Sequence, residues 1–146
     1  MKQYAKNACG TIALFHIIMN KIYDYQNLVK ENTYLAKFRE ETFGKKPEEI
    51  GESFKKNKDV CQKHKESVNK GQTQVQSKVE THFIAFIEKD GHLYELDGNK
   101  KEPINHGECT PEGLPMMACL VIQQFMQRDP ENNKFTLLAL GKSPEF

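Results

Sequence analysis

The stretch THFIAFIEKDGHLYELDG, Thr81–Gly98, contains two short strand patterns, one on each side of KDGH. Asp-Gly between two such runs is a strong signal of a tight β-hairpin turn. Pairing across that turn would bring the start of the first strand beside the end of the second. His82 and Asp97 stand at those two places. The stretch therefore predicts an antiparallel hairpin with an imidazole and a carboxylate at its open end.

Helical patterns surround the predicted hairpin. TYLAKFREETF reads as an amphipathic helix with Leu35, Phe38 and Phe43 on or near one face, and KPEEIGESFKKN has a proline and acidic residues at its start. TPEGLPMMACLVIQQFMQRDP predicts a later helix, and KFTLLALG a final strand over Phe135–Leu140. Helices and antiparallel strands that occupy separate parts of a 146-residue chain predict one α+β domain over residues 1–146.

The segment KHKESVNKGQTQVQSKVE is polar and almost free of large apolar residues. It cannot fill a core, so we expect an exposed loop over residues 65–78. Loops of this length are uncommon unless they are functional or disordered.

The N-terminal stretch NACGTIALFHIIM is apolar on nearly every side, which is typical of a core helix. Asn7 suits the N-cap, which places Cys9 in the first turn. There the free N–H groups and the helix dipole favour a thiolate over a thiol. Two readings remain open from this segment alone: Cys9 is either a nucleophile or a small core residue.

Composition excludes several classes of function. The net charge of +1 favours neither a nucleic acid nor an anionic membrane as a partner. No run approaches the length of a membrane span, and no secretory signal pattern opens the sequence. We therefore expect a cytoplasmic protein with no cofactor, whose four cysteines are reduced.

Four residues supply the parts of a cysteine-dependent hydrolase in a plausible order. His82 could hold the proton of the Cys9 thiol, while Asp97 would fix the tautomer and orientation of the imidazole. Gln3, just before the helix, could join the Cys9 backbone N–H in an oxyanion hole. A cysteine on a helix followed by His and Asp on a sheet is the papain-like arrangement. The plainer interpretation makes His82 and Asp97 ordinary strand-end residues.

Several long motifs of the sequence resemble those of one protein family. Q-x-x-x-N-A-C-G-T-I-x-L-x-H, HFIAF, DGHLYELDG and PINHGE, from Gln3 to about Leu140, are similar to the ubiquitin carboxyl-terminal hydrolases, small single-domain deubiquitinating cysteine peptidases. The resemblance implies a papain-like α-β-α arrangement with a largely antiparallel sheet flanked by helices. It also implies a thiol-dependent hydrolase that cleaves adducts from the carboxyl terminus of ubiquitin, or of a ubiquitin-like protein, through an acyl-enzyme thioester.

The resemblance also implies roles for individual residues. Cys9 would be the nucleophile, His82 the general base and acid, Asp97 the residue that orients it, and Gln3 an oxyanion donor. The polar stretch over residues 65–78 would be the active-site crossover loop, with Gly71, Gln72 and Thr73 inside it and in contact with ubiquitin. Such a loop would admit only a narrow, extended peptide tail.

Family members carry a segment before the glutamine, whereas Gln3 is the third residue here. We therefore expect a domain that is incomplete at its N-terminus, with self-association through the exposed core. The alternative function is a non-catalytic chain that keeps the site residues and at most binds ubiquitin.

Other interpretations of the sequence are weaker. Cys61-x-x-His64 and His106-x-x-Cys109 have the spacing of zinc ligands, but the resemblance explains the second pair without a metal, so we expect no metal site. The lysines between positions 55 and 70 lack the interleaved aromatic residues that stack on bases, and indicate a solvated helix face. Cys119, between Ala118 and Leu120, is predicted to be buried and inert.

Overall fold

The computed structural model describes residues 1–22, 29–70, 81–131 and 134–141, and for residues 67–70 it describes the backbone only. Five helices and three strands form within these ranges. They are α1 Cys9–Lys21, α2 Tyr34–Thr42, α3 Pro47–Lys56, α4 Lys58–Lys70, β1 Ala85–Lys89, β2 His92–Leu96, β3 Ile104–Glu108 and α5 Leu114–Gln127. The predicted α+β class is confirmed.

The predicted hairpin is present, with β1 and β2 antiparallel. Asp90 and Gly91 form its turn, both with positive φ (51° and 77°), which is the conformation of a type I′ turn and the reason that Asp-Gly favours it. The strand β1 begins at Ala85, so His82 lies just before the strand rather than in it. The third strand, β3, pairs with β2 and completes a sheet of order β1-β2-β3.

Helix α1 lies between two apolar cores. Ile12 and Phe15 pack with Phe38 of α2 and Phe54 of α3, and the three phenylalanine rings meet edge to face with centroids 5.3–6.1 Å apart. On its other side, Ala13 packs against the sheet. These two contacts explain why the helix is apolar over most of its surface, although Leu14 remains 46% exposed.

The opposite face of the sheet is covered by α5. Leu93 of β2, Val121 of α5 and Cys109 form a third buried cluster. Met116 and Leu120 of α5 are exposed, so the part of the chain that the structure describes covers one side of this helix. Cys119 is exposed as well, so the prediction that it is buried was wrong. A run of apolar residues shows that a helix is apolar, but not which of its faces is covered.

Three sequence-based boundaries differ from the structure. Asn7 has a left-handed backbone (φ 55°), which asparagine tolerates, and Ala8 is the N-cap of α1. Phe43 follows α2 and is 73% exposed. Residues 134–141 form no strand, because no described residue pairs with them, and a strand requires a backbone partner.

His16 is a buried residue of α1, as the apolar pattern around it indicates. Its Nε2 lies 3.2 Å from the carbonyl oxygen of Met1. Burial lowers the pKa of His16 to about 4. His16 is therefore uncharged at neutral pH and belongs to the core rather than to a reactive site.

No helix within residues 1–22, 29–70, 81–131 or 134–141 has both the length and the hydropathy that crossing a bilayer requires.

We predict that Phe38→Ala lowers the free energy of unfolding by about 3–5 kcal/mol, because it leaves a cavity between Phe15 and Phe54. The control is Phe43→Ala, which removes the same ring from an exposed position and should change stability by less than about 0.5 kcal/mol. Urea denaturation followed by circular dichroism measures both values. Equal losses from the two variants would contradict the assignment of Phe38 to the core.

Candidate active site

His82 and Asp97 meet at the open end of the hairpin, where the sequence predicts them. His82 Nε2 lies 2.7 Å from Asp97 Oδ1, and the Asp97 side chain is only 9% exposed. A carboxylate can only accept, so Nε2–H donates and Nδ1 is left with its lone pair when the ring is neutral. The pair therefore holds an imidazole in the tautomer that can take up a proton at Nδ1.

The Asp97 carboxylate is fixed by the turn that follows β2. Asn99 N–H donates to Asp97 Oδ1 at 2.8 Å, and Lys100 N–H donates to the Asp97 carbonyl at 3.1 Å. The side-chain amide of Asn99 lies 3.4 Å from His82 Nε2. Asn99 was not recognised from the sequence, because an asparagine that follows Asp-Gly has the composition of an ordinary turn.

Gln3 is attached to the same turn. Its backbone N–H donates to the Gly98 carbonyl at 2.9 Å. The approach is so close that a Cβ built on Gly98 would lie 2.9 Å from Gln3 Cβ and 3.2 Å from Ile12 Cγ2. Glycine is therefore required directly after Asp97, and it joins the Gln3 segment, the turn and α1 at one point.

Cys9 is the first residue of α1, and it is buried. Among the described residues no side chain caps this helix, so none of them takes up the N–H groups of its first turn as a capping group. A Cβ on Gly10 would meet the Phe83 ring at 3.6 Å. Gly10 follows Cys9 and Phe83 follows His82, so the contact between Gly10 and Phe83 brings the Cys9 and His82 segments together. The Cys9 and His82 side chains are not hydrogen-bonded to each other. Catalytic hydrogen bonds are often loose in the absence of substrate.

Residues 65–70 of the predicted loop over residues 65–78 are helical, and residues 71–78 lie outside the described residues. Helix α4 continues to Lys70, because its Lys, Glu and Gln residues are good helix formers and Glu66 pairs with Lys63 one turn earlier at 2.8 Å. Gly71, Gln72 and Thr73 lie outside the described residues.

The two zinc-like pairs are engaged in separate contacts. His64 Nδ1 lies 2.8 Å from Thr11 Oγ1, while the Cys61 thiol points at the Phe54 and Lys55 carbonyls. His106 bonds Glu95, and burial raises the pKa of the Cys109 thiol. No group of three or more His, Cys, Asp or Glu side chains in the described part of the chain could hold a metal ion.

A buried charged cluster lies beside the site and was missed by the sequence analysis. Glu95 of β2 is 2% exposed and is bonded by the side chains of Lys100 and His106. A glutamate between Tyr94 and Leu96 in a short strand carries no sequence signal of burial. Its two partners come from different segments, so no spacing in the sequence connects them.

Comparison with known proteins shows what the chain is similar to. Residues 1–127 match the family model described as ubiquitin carboxyl-terminal hydrolase, family 1. A probable ubiquitin carboxyl-terminal hydrolase of Dictyostelium discoideum is 38% identical over 149 residues, which cover 99% of this chain and 57% of that protein. A ubiquitin carboxyl-terminal hydrolase of Drosophila melanogaster is 39% identical over 142 residues, which cover 96% of this chain and 61% of the relative. The chain thus spans about three fifths of the length of these relatives.

The fold is also that of a solved structure. The UCH37 catalytic domain of Trichinella spiralis, bound to ubiquitin vinyl methyl ester, superposes with a TM-score of 0.72 at 20% sequence identity, over 92% of this chain and 58% of that one. This similarity confirms the expected fold class.

We predict that Gly98→Ala destabilises the protein by about 1–3 kcal/mol, because the new methyl group would push Gln3 away from the turn. Gly141→Ala is the control, since a Cβ there meets no atom of the described residues within 4 Å. Chemical denaturation of both variants measures the difference. A Gly98→Ala variant as stable as Gly141→Ala would show that Gln3 is not held against this turn.

Proposed function

The chain belongs to family 1 of the ubiquitin carboxyl-terminal hydrolases, and we propose that it hydrolyses bonds to the carboxyl terminus of ubiquitin or of a ubiquitin-like protein. The observation that carries the proposal is the 2.7 Å bond from His82 to Asp97, formed beside the N-terminus of the helix that begins with Cys9. A cysteine, a histidine with a free Nδ1 and an orienting carboxylate are the groups that acyl transfer to a thiol requires.

The proposed reaction proceeds in two halves. The Cys9 sulfur attacks the carboxyl-terminal carbonyl carbon while His82 Nδ1 holds the thiol proton. The tetrahedral intermediate collapses, and the leaving amine takes that proton as the carbon–nitrogen bond breaks. A thioester to Cys9 remains. Water then attacks the thioester and gives a proton to His82. The carbon–sulfur bond breaks, the Cys9 thiolate takes that proton back, and the released carboxylic acid loses its own proton to solvent.

The negative charge that develops on the carbonyl oxygen needs donors. The uncapped first turn of α1 offers backbone N–H groups beside the Cys9 sulfur. Gln3, joined to the turn that carries Asp97, is the second proposed donor through its side-chain amide. Its Oε1 is buried and has no hydrogen-bond partner among the described residues. No hydrogen bond to this oxygen therefore ties the amide to the described residues, and the group that would donate to the oxyanion is its Nε2–H₂.

Ubiquitin is the proposed partner because the solved relative of Trichinella spiralis carries ubiquitin vinyl methyl ester. The crossover loop, with Gly71, Gln72 and Thr73, is proposed to limit the adducts to small ones. The cytoplasmic location remains a prediction.

The test is covalent labelling with ubiquitin vinyl methyl ester, together with hydrolysis of a fluorogenic ubiquitin carboxyl-terminal amide. We expect the wild type to form one adduct, Cys9→Ala to form none, and Cys119→Ala to label like the wild type, because the exposed Cys119 lies on α5 outside the site. Binding of ubiquitin without an adduct or turnover would favour the non-catalytic alternative. Labelling that persists in Cys9→Ala would refute the assignment of the nucleophile.

We predict that Asp97→Asn lowers kcat by about 1,000- to 10,000-fold with little change in KM, because an amide does not hold the His82 tautomer that accepts a proton at Nδ1. Asp90→Asn makes the same chemical change at the opposite end of the hairpin, where asparagine suits the turn, and should retain full activity. Steady-state kinetics on the fluorogenic amide measures both. Equal kcat values for the two variants would remove Asp97 from the mechanism.

A further inference from the structure

A buried carboxylate lies two residues before Asp97, on the face of the sheet that α5 covers. Glu95 is 2% exposed and pairs across the hairpin with Phe86, on the side that α5 covers. Its Oε2 accepts from His106 Nε2 at 2.9 Å, and its Oε1 accepts from the Lys100 ammonium. Both carboxylate oxygens are therefore used, and a buried charge is satisfied by groups from two other segments.

Lys100 connects this carboxylate to the turn that begins with Asp97. It is the last residue of the Asp97–Lys100 turn, and its backbone N–H closes the turn on the Asp97 carbonyl. The Lys100 carbonyl in turn accepts from the ammonium of Lys2, the residue before Gln3. One lysine thus joins Glu95, the Asp97 turn and the segment that carries Gln3.

We propose that Glu95 is a positioning residue, which holds the Lys100 side chain and thereby fixes the turn that orients both Asp97 and Gln3. The predicted effect of Glu95 on turnover rests on the proposed function. The predicted effect of Glu95 on the His82 tautomer does not. Glu95 touches neither His82 nor Cys9, so it acts only through the geometry of the turn.

The location of Glu95, rather than its burial, carries this role. Glu88 is a second buried glutamate of the same hairpin, 7% exposed, and it pairs with Lys21 at 3.0 Å. Its other oxygen accepts from Gly91 N–H at the closed end of the hairpin. Glu88 therefore provides a matched control: the same residue type, a similar burial and an ion pair, but no contact with the Asp97 turn.

The experiment compares Glu95→Gln with Glu88→Gln in two measurements. The first is the ¹⁵N chemical shifts of the neutral His82 ring, which give the fraction of the Nε2–H tautomer without any substrate. The second is kcat and KM on the fluorogenic ubiquitin amide. We expect Glu95→Gln to lower the tautomer fraction and to lower kcat by roughly 10- to 100-fold with little change in KM, since small displacements of a catalytic group have effects of this size. Glu88→Gln should change neither quantity.

A second pair of variants addresses the case in which Glu95→Gln does not fold. Lys100 is 39% exposed at its side chain, so Lys100→Met removes the cation without opening the core and leaves the Glu95–His106 contact in place. Lys100→Met should reproduce the loss of tautomer and of kcat, and Lys100→Arg, which retains the cation, should restore both.

The outcomes separate this inference from the proposed function. A wild type without turnover refutes the proposed activity, and the ring tautomer then decides the role of Glu95 alone. A His82 tautomer that is unchanged in both Glu95→Gln and Lys100→Met overturns the inference. Equal losses in Glu95→Gln and Glu88→Gln also overturn it, because they would reflect the burial of a carboxylate anywhere in the hairpin.

Discussion

Helix α1 has to be covered on two opposite sides, and the rest of the fold is arranged around that constraint. Phe15 faces the aromatic cluster of α2 and α3, while Ala13 faces the sheet. A helix fixed from both sides cannot shift along its axis without disrupting one of two cores, since packed interiors do not deform continuously. Packing contacts further along α1 therefore determine the position of Cys9, its first residue.

The hairpin supplies the second half of the site through its register. Ala85 pairs with Leu96, so the chain before β1 and the chain after β2 leave the sheet side by side. A slip of one residue would move Leu96 to the face of α5 and separate His82 from Asp97. The Asp90–Gly91 turn prevents that slip, because a type I′ turn fixes which residues pair. The reactive pair at one end of the hairpin thus depends on turn chemistry at the other.

The sequence was sufficient wherever the structural signal is local. Asp90–Gly91 predicted the hairpin, and the hairpin predicted that His82 would lie beside Asp97. The strand β3 was missed because INHGE has a glycine and few apolar residues, and it forms a strand only because β2 offers its edge. The strand expected over Phe135–Leu140 failed for the converse reason: its residues suit a strand, but no described residue pairs with them. Glu95 is a third case, because its role depends on partners that only the folded chain brings to it.

Two buried glutamates in one short hairpin need a physical reason. Burying a carboxylate is costly, and an ion pair in the interior often contributes nothing to stability compared with apolar residues of similar size. A buried ion pair does restrain the distance between its two partners, because separating them leaves a buried charge unsatisfied. Glu88 applies this restraint at the closed end of the hairpin and Glu95 at the open end. Asp97 follows the last residue of β2, and hydrogen bonds from Asn99 and Gln3 hold its turn in addition to the apolar packing of the hairpin. The Glu95–Lys100 contact connects that turn to the rigid interior of the sheet, where α5 excludes water.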